Sequence, residues 1–342
     1  MDTRYNLEHA SMSLLRYTKE REKDHHSGIQ LLNMFKDDSD SSLEVAEFNG
    51  IGRLISKQFD QDGVESEAVE AVVSMQGIIT SKDLPPFRGR MNTTKIQFYR
   101  QAVTIAVVDE DICERFIEQI GRVQNIFKRH YGDGLNDSCA FTTFVPGKIS
   151  YNTFDISNRL FKKRADADGE QLRTLGQAID PDGNVQRTAD SNGFVHTTDN
   201  EVFYFERKKD PIKGQYRFVA AEPTIFQVGD IVEVQMSFVG LPLHHRKRKL
   251  SLMLRTVGLM DAKFSKDLSL SKFKSGAKTN APARAMLKRA VGYADENVSI
   301  AESRLANMEV DDRASGSKAT HANGGDDESD QDDVDRPEKK RR

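Results

Sequence analysis

Residues Asp230–Asp261 read DIVEVQMSFVGLPLHHRKRKLSLMLRTVGLMD. Val232, Val234, Met236 and Phe238 fall on one row, with Glu233, Gln235 and Ser237 on the other beside Ile231 and Val239. Leu250, Leu252 and Leu254 alternate in the same way against Ser251, Met253 and Arg255. A period of two over both halves predicts two strands, Asp230–Val239 and Lys249–Met260. Upstream, Val202–Arg207 and Tyr216–Ala221 alternate as well. Short spacers (Asp210–Gly214 and Pro223–Gly229) favour an antiparallel meander over crossover units. The connection inside the quoted stretch is His244-His245-Arg246-Lys247-Arg248-Lys249, a block of four cations between two strands.

Working outward, Ile112, Phe116, Ile120, Val123 and Phe127 recur at helical spacing, and Lys128, Arg129 and His130 suit the negative end of the dipole. A helix capped by Asp111, with Glu114 completing the box and Gly132 ending it, is expected. Ile96–Val108 and Cys139–Val145 read as strands, Tyr151–Lys163 as helical, and Asp166–Gly193 as a loop insertion. The first 80 residues show partial helical spacing at Leu7, Leu14 and Leu15 and at Val69, Val72 and Val73. The expectation is an α+β protein. It has a helical N-terminal region (1–80), an α+β core with an antiparallel, barrel or Greek-key-like sheet (90–262), and a basic linker (263–280). A helix (281–308) and a disordered acidic and basic tail (311–342) follow.

The chain has 342 residues, 37% of them hydrophobic and 30% charged, with a net charge of −3. That small net value conceals an asymmetry: residues 241–290 carry +11 and residues 1–240 carry −8. Two cysteines make no disulfide framework. Met1–His26 has no apolar segment of the secretory kind, and the apolar run near Ala102–Val108 is far below the ~18 residues of a membrane helix. Secreted scaffolds and helical membrane proteins are thus not expected.

The block Pro223–Gln235, followed by Arg248-Lys249-Leu250 and Leu254–Asp261, resembles one found in uncharacterised multicopy proteins of mushroom-forming (basidiomycete) fungi. That resemblance implies no activity and no catalytic residue. It fits a nuclear setting.

Catalytic motifs are weak. Gly50-Ile51-Gly52 has Ile55 where a dinucleotide fingerprint needs a small residue, and there is no P-loop and no G-x-S-x-G. Asp180, Asp182 and Asn184 match the start of a calcium loop, but Val185 occupies the glycine position, so a Pro-Asp-Gly turn reads better. His196, Asp199 and His244 or His245 offer an iron triad only if folding assembles them, which makes a metal-dependent oxygenase on a β-scaffold the most distant reading. No cofactor or metal is expected.

The favoured reading is a non-enzymatic nuclear module that binds nucleic acid through Arg246, Lys247, Arg248 and Lys249. Lys263, Lys266, Lys272 and Lys274 extend that charge, with Phe264 and Phe273 interleaved as stacking rings. Terminal Lys339, Lys340, Arg341 and Arg342 read as a nuclear import signal. The alternative is a protein-interaction or assembly factor whose acidic tail binds basic nuclear proteins.

Overall fold

In the computed structural model, residues 2–24, 28–36, 43–57, 68–88, 92–136, 141–144, 151–212 and 214–276 are described. The expected segments 281–308 and 311–342, and with them Lys339–Arg342, lie outside these residues.

Helix α1 (Leu7–Lys23) starts where the Asn6 side chain accepts a hydrogen bond from the His9 backbone N–H, and it buries Ala10, Leu14, Thr18 and Arg21 along one stripe. Beyond α1 and a 3₁₀ turn (Leu31–Asn33), the described residues 43–57 and 68–80 hold strands where helix was expected. Strands β1 (Leu43–Phe48) and β2 (Ile51–Ser56) form a hairpin, β3 (Val69–Glu70) joins β2, and β4 (Val72–Asp83) follows. The hairpin turns at Asn49-Gly50, both at positive φ, which is the most favoured sequence for a two-residue turn.

A 3₁₀ turn (Thr93–Phe98) leads into β5 (Arg100–Val107), and helix α2 (Glu110–Tyr131) comes next. The α2 cap is Asp109 rather than Asp111, since Asp109 Oδ1 accepts from the Ile112 backbone N–H at 3.0 Å. Its apolar stripe is as expected, with Ile112, Phe116, Ile120, Val123 and Phe127 buried. Two short strands, β6 (Leu135–Asn136) and β7 (Phe141–Phe144), precede β8 (Tyr151–Arg159). Here strand replaces the expected helix.

Next come β9 (Lys162–Lys163), β10 (Leu172–Arg173), α3 (Asn184–Ser191) and β11 (Phe194–Thr197), so the expected loop insertion Asp166–Gly193 holds a strand and a helix, and β10 forms a three-stranded sheet with the flanking β9 and β11. The chain then runs through β12 (Phe203–Lys209), β13 (Tyr216–Ala220), β14 (Ile231–Pro242) and β15 (Arg248–Asp261). Helix α4 (Lys263–Gly276) occupies most of the expected linker. It forms because Phe264, Ser265 and Leu268 recur on one side, and Phe264 packs with Tyr5, Ala10, Leu14 and Met260.

Five strands close a barrel in the order β4-β5-β8-β15-β14-β4. All neighbours are antiparallel except β8 and β15, which meet in parallel at Ile156 and Leu252. This five-stranded Greek-key barrel has the arrangement of an OB-fold. β14 and β15 are long enough to serve more than one neighbour on one edge: β14 passes from β4 to β2, and β15 from β6 to β8 to β12. Val103, Ile105, Phe154, Ile156, Val234, Phe238, Leu252 and Leu254 belong to a core that Phe116, Ile120, Val123 and Phe127 of α2 share.

Both rows of β14 are buried. Glu233 receives the Arg21 guanidinium of α1 through two contacts of 2.7 Å, and Ser237 Oγ accepts from Arg255 Nε at 3.1 Å. The inserted segment is tied to the barrel by ions. Asp199 meets Arg53 of β2 at 2.7 Å, Arg255 of β15 at 3.0 Å and Lys162 of β9 at 3.1 Å, while Glu70 of β3 pairs with both arginines.

Candidate nucleic-acid interface

The basic loop is the hairpin between β14 and β15. Pro242 lies opposite Arg248 and Leu241 opposite Lys249, and the tip closes with the Leu243 N–H donating to the Lys247 carbonyl at 2.8 Å. His245 and Arg246 both adopt φ of 59°, the left-handed region that short hairpin turns demand. Glycine adopts that region freely and bulky side chains do not, so His245 and Arg246 held there carry backbone strain. Leu243 through Lys247 and also Lys249 are exposed. Among the described residues, Arg246, Lys247 and Lys249 have no carboxylate partner.

Arg248 is different. Its guanidinium donates to the Gly50 carbonyl, pairs with Glu47 at 3.3 Å and sits 5.3 Å from the centre of the Tyr131 ring. Tyr131 Oη donates to Glu47 Oε1 at 2.5 Å. Burial, and then this carboxylate, push the Tyr131 phenol above its ordinary range. The ring fits because Gly52 and Gly240 face each other across β2 and β14: a Cβ at Gly52 would stand 1.9 Å from Tyr131 Oη, and one at Gly240 3.0 Å from the ring. Arg248 is therefore an anchor at the base of the loop, and the sequence reading that grouped it with the free cations is corrected.

Sequence reasoning missed a second contributor. β6 runs parallel to Arg248 and Lys249, bringing the end of α2 to the same corner, and Gly134 lies 3.7 Å (from an ideal Cβ) from the Arg246 carbonyl. The last turn of α2 carries exposed Lys128, Arg129 and His130. In sequence the helix dipole is reason enough for these cations. Only the β6 pairing, invisible locally, places them beside the loop.

The structure does not join the remaining lysines to this corner. Lys263, Lys266, Lys272 and Lys274 are on α4, at the far end of β15, about 40 Å of strand away at ~3.3 Å per residue. Lys272 pairs with Asp2 at 2.9 Å. Phe264, expected to stack on bases, is only 7% exposed and belongs to the core, whereas Phe273 is 78% exposed. Lys263 instead lines a groove of about 460 Å³ between α1 and α4, with Arg4, His9 and Arg16.

The candidate metal ligands are dispersed. His196 is buried with Nδ1 2.7 Å from the Leu160 carbonyl, and burial lowers its pKa. Asp199 is committed to three cations, and His244 and His245 are at the exposed hairpin tip. Among the described residues His196, Asp199 and His244 or His245 therefore do not assemble the expected iron triad. Among the described residues no cluster of three His, Cys, Asp or Glu side chains suits a metal. Asp180 closes the turn before α3, its Oδ2 accepting from the Gln186 backbone N–H at 2.8 Å.

No family model matches the chain, and no curated protein matches it. Among solved structures, it is similar to gp2.5, a single-stranded DNA binding protein encoded by bacteriophage T7. The two share 12% identity at a TM-score of 0.33, over 56% of this chain and 92% of that one.

Proposed function

We propose that this protein is a nucleic-acid-binding module, not an enzyme, and that the tip of the β14–β15 hairpin is its main contact. The supporting observation is the group Arg246, Lys247 and Lys249, exposed and without carboxylate partners on a loop fixed at its base by Arg248, Tyr131 and Glu47. In OB-type barrels the loop between the fourth and fifth strands is one of those that hold oligonucleotides, and this hairpin occupies that place in the strand order. Lys128 and Arg129 widen the positive corner. Lys339–Arg342 would carry the protein to the nucleus as an import signal.

The test is fluorescence anisotropy of the full chain with single-stranded and duplex oligonucleotides at low salt, beside an Arg246→Ala/Lys247→Ala/Lys249→Ala variant. Removing three phosphate contacts should weaken binding at least tenfold and flatten the logarithmic salt slope for single strands by about 2. Equal affinity and slope in the two proteins would rule the loop out.

A further inference from the structure

On β5 and β8, Arg100 and Arg159 are directly opposite each other. Both are exposed, and among the described residues neither meets a carboxylate. Like charges facing each other across an antiparallel ladder oppose pairing, so this arrangement asks for an anion between them. The next two pairs on the same face are Ala102 with Ser157 and Thr104 with Asp155, the latter joined by a 2.6 Å hydrogen bond. The floor beside the arginines is therefore low and uncluttered. Asp83, opposite Ala102 on β4, and Asp155 make the middle of the face unfavourable for phosphate, which confines an anion to the arginine end.

An aromatic ring stands next to them. Phe98, 67% exposed, is two residues before Arg100. Its root is rigid: Ile96 is buried with Leu160 and Phe161, and the Leu160 N–H donates to the Tyr99 carbonyl at 2.8 Å, carrying the β5–β8 ladder past the arginine pair. A large apolar ring exposed to water, two residues along the chain from one arginine of the pair, matches what an unstacked base and its phosphate require.

We propose that Arg100 and Arg159 together bind a backbone phosphate of a single-stranded nucleic acid, with Phe98 stacking on a base beside it. This rests on the nucleic-acid reading above and adds a preference for single strands, because bases in a duplex have no free face to offer Phe98. Paired guanidinium forks suit a phosphate better than any single cation.

The test uses the full chain, a labelled 20-nucleotide oligo(dT) and a duplex of equal length, titrated into the parent, an Arg100→Gln/Arg159→Gln variant and a Phe98→Ala variant. Both variants should bind the single strand about tenfold more weakly with duplex binding unchanged. The arginine variant should also lower the salt slope by about 0.7, the value for one phosphate. Arg159→Gln alone, without oligonucleotide, should melt at the same or a higher temperature, since it relieves repulsion. Unchanged single-strand affinity and slope, while the Arg246/Lys247/Lys249 variant loses binding, would overturn this site alone. A parent that binds no nucleic acid would remove both proposals. Equal losses for single strand and duplex with a lowered melting temperature would mean that the pair is structural, and would likewise overturn it.

Discussion

At Arg246 one residue serves two opposed demands. Its φ of 59° suits glycine, yet the position holds an arginine in open solvent. A left-handed residue costs about 1–2 kcal/mol, part of which glycine returns through the freedom of the unfolded chain. Arg246→Gly should therefore stabilise the protein by about 0.5–1 kcal/mol in denaturant titrations while weakening oligonucleotide binding. A destabilised Arg246→Gly protein would show that the arginine side chain holds the loop together. Arg248, two residues on, is expected to do the reverse, because its contacts with Glu47, Gly50 and Tyr131 are structural.

Among the elements, the close approach of α2 to the sheet makes the sharpest prediction. Gly52→Ala places a methyl group where Tyr131 Oη now is, and overpacking of this kind costs about 1–3 kcal/mol. Thermal melts should show the loss, and adding Tyr131→Phe should recover part of it by opening the contact. The elements differ in how far their sequences reveal them. α2 and the pair β14–β15 were legible because each has one unbroken period. β1 and β2 lie between the segments of partial helical spacing and are absorbed into one helical region, although Asn49-Gly50 marks their turn. In β8 the buried positions Tyr151, Phe154 and Ile156, with Leu160 just past the strand, imitate a helical stripe, because that strand packs on both faces. α4 looked like a linker since lysine and serine dominate it and only Phe264 and Leu268 face the core. The loop cations were visible as a charge run. Arg100 and Arg159, 59 positions apart, become a pair only through the β5–β8 register.

For the whole molecule, the ionic network decides how acid acts. Burial opposes ionisation of Asp199, but the hydrogen bond from Arg53 and the fields of Arg53, Arg255 and Lys162 outweigh it and hold the carboxyl well below the usual range. Glu170, bound to Lys162 and Thr197, is lowered for similar reasons. A depressed pKa contributes stability that is present above the unfolded value, near 4, and is lost as pH falls toward the folded value. The melting temperature should thus drop steeply below about pH 4. Asp199→Asn should shallow that drop, at a loss of about 3–5 kcal/mol near neutrality from leaving three cations undersatisfied. An unchanged acid profile in Asp199→Asn would place the sensitivity elsewhere.

The glycine-lined slot that seats Tyr131 gives the chain a built-in optical probe. With eight tyrosines and no tryptophan, phenol emission is not masked by indole. Among the described tyrosines Tyr131 alone joins Glu47 and Arg248 beneath the loop, so an occupant that draws Arg248 away changes the surroundings of that fluorophore. Any intensity change on adding oligonucleotide that vanishes in Tyr131→Phe reports occupancy from this spot, with no label attached.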